Sequence, residues 1–339
     1  MLDIFNNDAF SVTRLTDAIN ELKFKPGRIG ELGLFDETPV DTTTIAVEKK
    51  GDILVLVSPT PRGAPGQTAD KARGDLRPFI IPHFEINDAI YADEVQNVRA
   101  FGSETALETV VAKVAGRNQM HVNSMGVTQE YARMGAVQGI VTYADGSTLD
   151  LFASMSVSQD AEWDFDLDNM SPASGALRKK CAAVVRKIQD NLGGIPFDGV
   201  WAFCGDNFFD DLIAHPEVRE TFKNWPEAQI LRDGYVGTKR GSYSMFEFGG
   251  IVFENYRGAV GSTSFINTDK CHLFPTGVPQ LFRTAYAPAD YEETVNTMGK
   301  RLYSKQYPMD NGKGRNLDVQ MNNLEFCQRP KVLQKGKRT

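Results

Sequence analysis

Residues 58–78 read SPTPRGAPGQTADKARGDLRP, a stretch with almost no apolar side chain to bury, set between two strongly apolar runs. The run before it predicts a hairpin. TTTIAVE (42–48) alternates, Lys49-Lys50-Gly51-Asp52 offers a turn, and ILVLV (53–57) is β-branched and apolar. The run after it, FIIPHFEI (79–86), is broken by Pro82, which suits an edge strand because proline cannot donate to a ladder. Structureless segments of about 20 residues are uncommon inside compact domains and are usually functional or disordered. Flanked by strands, this one reads as a long projecting arm, with a plain surface loop as the alternative. Arg62, Lys71, Arg73 and Arg77 accompany Asp70 and Asp75 along it. Exposed pairs of that kind contribute only about 0–1 kcal/mol each, so the arm gains little by folding on itself. It gains more by lying on a neighbouring subunit, which makes Arg62, Lys71, Arg73, Asp75 and Arg77 the candidate inter-subunit contacts.

Composition bounds the remaining possibilities. The 339 residues suggest about two domains, with enough chain for a sizeable core. A net charge of −7 excludes an overall basic surface for gripping a nucleic-acid backbone. Cys181, Cys204, Cys271 and Cys327 are far apart and form no CxxC pair, so they read as reduced core residues of a cytoplasmic product. The first twenty residues lack the basic start and apolar run of a signal peptide, and no segment has the apolar length to span a bilayer.

Along the chain, a short helix is expected around Ser11–Leu22, followed by KFKPGRIGELGLFDETP, rich in Gly and Pro. A long helical pattern starts at Ser103, with Leu107, Val110, Val111 and Val114 on one face, and runs to Gln138. Gly116, Gly126 and Gly135 interrupt it at up to ~1 kcal/mol each relative to Ala, so a bent or split helix is expected. IVTYADGSTLDLF (140–152) predicts two short strands about an Asp-Gly turn. Asp160, Glu162, Asp164, Asp166 and Asp168 alternate with mostly apolar residues, a strand pattern with one acidic face. Ser174 is the expected N-cap of a helix bearing Leu177, Cys181, Val184, Val185, Ile188 and Leu192, ended by Gly193-Gly194. VWAFC (200–204) predicts a buried strand, and Asp206 the cap of a helix reaching Pro216. The remainder is mainly strand and turn, with a basic tail of Lys335, Lys337 and Arg338. The whole pattern is α+β.

Catalytic chemistry is weakly signalled. Asp206, Asp210, Asp211 and His215 form the densest cluster, and Asp211 and His215, four apart, fit one helix face where they could bind metal or move protons. More often such residues are the solvated side of an amphipathic helix with a histidine near its C-terminus, where the helix dipole favours positive charge. The DxDxD step at Asp164, Asp166 and Asp168 fails as a calcium loop, since Asn169 and Gly175 stand where Gly and Glu are needed. No phosphate-cradling loop, GxSxG elbow, HExxH pair or dinucleotide fingerprint occurs. No cofactor and no metal are expected.

Taken in order, the pieces resemble the major capsid protein E family of phage lambda and its relatives, which has the Hong Kong 97 capsid fold. FKPGRIGELGLF is similar to the family's N-arm, and residues 42–66 followed by RPFIIPHFEIND to its extended loop. Residues 104–139 resemble the long spine helix, IVTYADGSTLDLF the hairpin that follows it, and GVWAFCGDNFFDDLIAHPEVRETF with FEFGGIVFENYRG the axial domain. The resemblance implies an N-terminal arm over 1–41, an extended hairpin loop over 42–90 and a peripheral domain with the spine helix over 91–170. It further implies an axial domain over 171–285 and a return to the peripheral domain with a C-terminal tail over 286–339.

The implied function is a non-enzymatic shell subunit of a tailed bacteriophage, made and assembled in the host cytoplasm and resident in the virion. Its homo-oligomers would be pentamers and hexamers of an icosahedral capsid. Implied partners are a scaffolding protein, here expected as a separate chain, a portal, in many relatives a decoration protein, and packaged double-stranded DNA in weak non-specific contact. A negative net charge suits that role, because a cationic inner wall would bind DNA through counterion release and hinder packing. Two other readings compete. One is a soluble α/β hydrolytic or metal-dependent enzyme using Asp206, Asp210, Asp211 and His215 under a 58–78 lid. The other is a tail-tube or connector subunit that forms rings or tubes.

Overall fold

A computed structural model of the chain describes residues 11–21, 27–49, 75–96, 106–169, 171–223 and 244–339. The expected strand ILVLV with its expected turn, the loop core 58–74, and Arg62, Lys71 and Arg73 lie outside the described residues. Helices span Val12–Glu21, Arg28–Glu31, Ala92–Gln96, Ala106–Gln138, Leu151–Ser154, Ala176–Leu192, Asp206–Ala214 and Pro216–Lys223. The strands, in chain order, are β1 (Phe35–Pro39), β2 (Thr44–Lys49), β3 (Asp75–Ile80), β4 (His83–Tyr91), β5 (Ile140–Thr142) and β6 (Thr148–Asp150). They continue with β7 (Trp163–Asp164), β8 (Gly199–Cys204), β9 (Met245–Phe248), β10 (Ile251–Asn255), β11 (Ala259–Val260) and β12 (Thr263–Ser264). β13 (Lys270–Thr276), β14 (Phe282–Tyr286), β15 (Tyr303–Pro308), β16 (Gly314–Cys327) and β17 (Gln334–Lys337) complete the set.

Contacts divide the chain into two units, each assembled from separated segments. The first comprises Met1–Val47, Pro78–Arg133 and Phe282–Phe326. Its sheet runs β1-β14-β16-β15, with β4 also on β16. β1 lies parallel to β14 with Phe35 opposite Phe282, so the last residues of the stretch read as an N-terminal arm form an edge strand of this sheet. β16 is the organiser, antiparallel to β15 and to β4. Its residues Val319 and Met321 pack with Ile19, Val122, Met125 and Leu302 in a core that Phe84 and Ile86 flank. Pro82 lies between β3 and β4, so the run read as a single edge strand is two strands that join different sheets. β2 pairs with β3, so Thr44–Lys49 has a partner thirty residues away in the chain.

The second unit comprises Glu48–Arg77, Met134–Leu281 and Cys327–Thr339. Its six-stranded sheet runs β7-β17-β13-β8-β10-β9. The Ala176–Leu192 helix buries Leu177, Cys181, Val184, Ile188 and Leu192, the stripe read from the sequence. Phe165, Phe208, Phe246 and Phe253 meet ring to ring in the core. The basic tail is not a solvated appendage. It is β17, antiparallel to β13 and parallel to β7, with Lys337 paired to Asp164 at 3.2 Å.

Local expectations are corrected at several points. The Ala176–Leu192 helix is capped not by Ser174 but after Gly175, which is left-handed at φ 78°, and Glu217 accepts from the Leu177 and Arg178 amides. Asp206 is the first helical residue, behind an N-cap at Gly205 that has no side chain to give, and it pairs with Arg257 at 3.3 Å. The acidic alternation forms only a two-residue strand, because Asp166 turns left-handed at φ 54°. Phe165 and Leu167 are nonetheless buried while Glu162 and Asp164 meet lysines. Leu151 and Phe152, expected to continue a strand, begin a helical turn capped by Asp150.

The glycines do not split the long helix, which is continuous over 33 residues. Gly135 explains one exception to propensity: a Cβ there would meet the Val141 backbone at 2.6 Å, so the close approach of β5 excludes any side chain. Gly116 has nothing within 4 Å of that position. Gly116→Ala is therefore expected to stabilise the subunit by up to about 1 kcal/mol, and Gly135→Ala to destabilise it by about 1–3 kcal/mol despite the same propensity gain. Urea unfolding of the two variants checks this, and shifts of the same sign would refute the packing argument.

Candidate assembly surfaces

The most exposed large apolar side chains among the described residues lie at the end of β3 and in the 295–298 segment. Ile80 is 79%, Val295 65% and Met298 59% exposed, the highest values among the large hydrophobic residues described. All three sit on segments tied to one connector. The Val40 amide donates to the Tyr286 carbonyl at 2.8 Å and the Val40 carbonyl accepts from Gly299 at 2.8 Å, while the Thr43 carbonyl accepts from Ile81 at 3.0 Å. Of the predicted contact residues, Asp75 opens β3 and Arg77 is a half-buried residue within it.

A charged network fixes the N-terminal half of the long helix. Arg117 reaches Asp88 at 3.3 Å and Glu94 at 3.4 Å, Lys113 reaches Glu94 at 2.8 Å, and buried His121 meets Asp88 at 3.0 Å. The Lys113 hydrogen bond holds the Glu94 carboxyl below the usual carboxylate range.

Deeper in the first unit lies a polar cluster with no counterpart in the sequence reading. The Gln129 amide donates to the Tyr286 hydroxyl at 2.9 Å, and Asn323 donates to Glu325 Oε1 at 2.5 Å. Arg133 donates to Glu37 at 2.8 Å, and its guanidinium lies 5.2 Å from the Phe35 ring centroid. Arg133 Nε, Asn323 Oδ1 and Glu325 Oε2 are buried without a hydrogen-bond partner. Burial pushes the Glu325 carboxyl up to about 7, with Arg133 opposing the rise, and it pushes the Tyr286 hydroxyl up as well. One signal was available: Gln129 and Arg133, four apart, put polar groups on a helix face beside buried Met125 and Val122. The partners, from 37, 284–286 and 323–325, carried none.

The enzyme-like cluster is dispersed. Asp211 is bound to Arg338 at 2.6 Å, Asp206 to Arg257, and Asp210 lines a shallow hollow with Ile213, Ala214 and Arg219. His215 leaves the helix as its C-cap and is buried, with Nδ1 accepting from the Glu217 amide at 3.3 Å. Burial lowers its basicity, and the nearest carboxylates acting on it are Glu217 and Asp166 rather than Asp211. The carboxylate and imidazole thus have separate structural commitments, and the predicted shared face does not form. Among the described residues no group of three or more His, Cys, Asp or Glu is placed to hold a metal ion. No described helix is long and apolar enough to cross a membrane.

Comparison with known proteins gives the same picture from outside. A family model described as phage major capsid protein E matches residues 11–338. The chain is 28% identical over 346 aligned residues to the major capsid protein of Pseudomonas phage KPP10, covering 97% of each. It is 25% identical over 360 aligned residues to the major capsid protein of Salmonella phage Felix O1 (isolate Felix O1-VT1), covering 98% of this chain and 97% of that one. A crystal structure described as a candidate capsid protein of an E. coli CFT073 prophage superimposes with a TM-score of 0.61 at 13% identity, over 97% of this chain and 99% of that one. At that identity the superposition speaks to the fold alone.

Proposed function

The chain belongs to the phage major capsid protein E family, and we propose that its copies gather into pentamers and hexamers that close an icosahedral shell around the genome. It is a major capsid protein of a tailed phage, a structural component of the virion with the Hong Kong 97-like α+β fold, and not an enzyme. The observation that carries the reading is the family match over 11–338, which takes in segments of both units rather than one shared module.

On this reading residues 1–41 form the N-arm, 42–90 the extended loop, 91–170 the peripheral domain, 171–285 the axial domain and 286–339 the returning segment. In that plan Arg62, Lys71, Arg73, Asp75 and Arg77 pair with a neighbouring copy, and Ile80, Val295 and Met298 at the arm's root are covered by it. The physical support is that a polar arm recovers its ordering entropy, roughly 1–2 kcal/mol per residue, only against another surface. A scaffolding protein, a portal, a decoration protein and loosely held double-stranded DNA complete the set of partners.

Electron microscopy and light scattering of the purified protein, expressed with and without its neighbouring scaffold gene, test the assembly. Closed shells or capsomer rings are expected, and a monomer or dimer under every condition would overturn the proposal. Changing Arg62, Lys71 and Arg73 together to Glu is expected to leave the subunit's melting curve in place while shell yield falls on the order of tenfold, since like charges across an interface cost several kcal/mol. Unchanged yield would remove these residues from the contact.

A further inference from the structure

We propose that Cys204 and Cys271 are a latent disulfide site, two facing thiols that a peroxide-class oxidant joins across β8 and β13. The two residues stand directly opposite each other in the antiparallel pair. The Gly205 amide donates to the Lys270 carbonyl at 2.9 Å, so the neighbouring pair is the hydrogen-bonded one. The Cys204 carbonyl faces the other way, accepting from Tyr256 at 3.0 Å. Cys204 and Cys271 are therefore a non-hydrogen-bonded pair, in which Cα atoms approach to about 4.5 Å, within the roughly 4.4–6.8 Å that a disulfide spans.

Opposite residues share a face of the sheet, and these two thiols are fully buried and in hydrogen-bond contact with each other. Across the other edge of β13, Cys271 is opposite Gly336, where a Cβ would run into Cys271 Sγ and the Phe165 ring. The row Cys204–Cys271–Gly336 thus leaves Cys271 Sγ room at the glycine and a partner at the cysteine. Cys181, near enough to Cys271 for their charges to interact, lies on a helix, and Cys327 ends β16, so neither stands opposite Cys271 or Cys204 across a strand pair.

The chemistry balances with peroxide as the oxidant. One thiolate attacks the O–O bond, forming a sulfenic acid and expelling hydroxide, which takes up the thiol proton as water. The second thiol displaces water from the sulfenic sulfur and forms the S–S bond. Two thiols and one peroxide give one disulfide and two waters, with two electrons passing from sulfur to oxygen. Burial holds the Cys271 thiol well above its ordinary range, so thiolate is scarce and the reaction in the intact sheet is slow. A reducing cell interior keeps the pair as thiols, whereas a virion outside it has no means of restoring them.

The test is to expose the purified wild-type protein to hydrogen peroxide, quench, unfold, count thiols and map linked peptides by mass spectrometry. The expected result is a fall from four titratable thiols to two, a single linkage joining Cys204 to Cys271, its reversal by dithiothreitol, and a higher urea midpoint for the oxidised form. Cys204→Ser should abolish the linkage at Cys271. Four remaining thiols, sulfinic acid without a linkage, or a linkage through Cys181 or Cys327 would each overturn the proposal.

Discussion

At pH 8 the Glu325→Gln subunit is expected to be more stable than the native one by about 3 kcal/mol, and to lose a pH dependence that the native subunit has. Glu325 is almost fully buried in β16, and desolvation raises its carboxyl from an ordinary 4.5 to about 7. The charged groups facing it are few. Arg133 on the long helix favours the carboxylate, but that guanidinium also donates to Glu37, while Tyr286 on β14 remains neutral. The folded state therefore binds this proton more tightly than the unfolded chain. Stability falls as pH rises from about 4.5 to about 7 and is level above that. Each tenfold in proton concentration across that interval is worth about 1.4 kcal/mol, which sets the size of the effect. Glutamine keeps the volume, carries no charge to desolvate, and sets an amide beside the unpartnered Asn323 Oδ1. Urea midpoints of unassembled subunits from pH 5 to 8.5 decide the matter. Native and variant curves should converge at the acid end and separate towards pH 8, and parallel curves would show that Glu325 does not titrate in this window.

Phe253→Ala is expected to cost about 3–5 kcal/mol, a large fraction of the margin by which most domains stay folded. Phe253 is fully buried in β10, between strands β8 and β9. Its ring centroid lies 5.9 Å from Phe246, 6.5 Å from Phe208 and 6.5 Å from Phe165, the last edge-on. These rings come from four separate segments, so truncation opens a cavity that no single backbone shift closes. The expected readouts are a lowered urea midpoint and loss of soluble assembled material at growth temperature. Phe253→Leu should lie between. A cost under about 1 kcal/mol would mean that the four rings repack freely, contrary to an interior packed at crystal-like density.

The first of these predictions sits at a place the sequence signals poorly. In NNLEFC, polar residues alternate with apolar ones in a way that reads as a half-exposed strand, yet β16 is buried along almost its whole length. Strands on both edges and side chains above and below cover it, and those come from residues 83–91, 282–286 and 303–308. Gly135 likewise reads as a weak point in a helix until β5 is seen against it. The Asp211 and His215 pair reads as one helix face until Pro216 and the Glu217 amide draw His215 out of the helix.

What the sequence by itself determined is whatever depends on neighbours within about ten residues. The Ala176–Leu192 stripe, the Asp-Gly hairpin at 140–150, the break at Pro82 and the buried strand at 200–204 all follow from periodicity and turn chemistry. The reading of residues 58–74 as an arm also rests on local composition, because a polar segment beside apolar runs has nothing nearby to bury, but it lies outside the described residues. The tertiary structure decided the partners: β2 with β3, the basic tail as a strand of the second unit, Cys204 opposite Cys271, and the buried charge at Glu325. Pairing register and desolvation are set by groups tens to hundreds of residues away, and no local pattern encodes which distant segment will arrive.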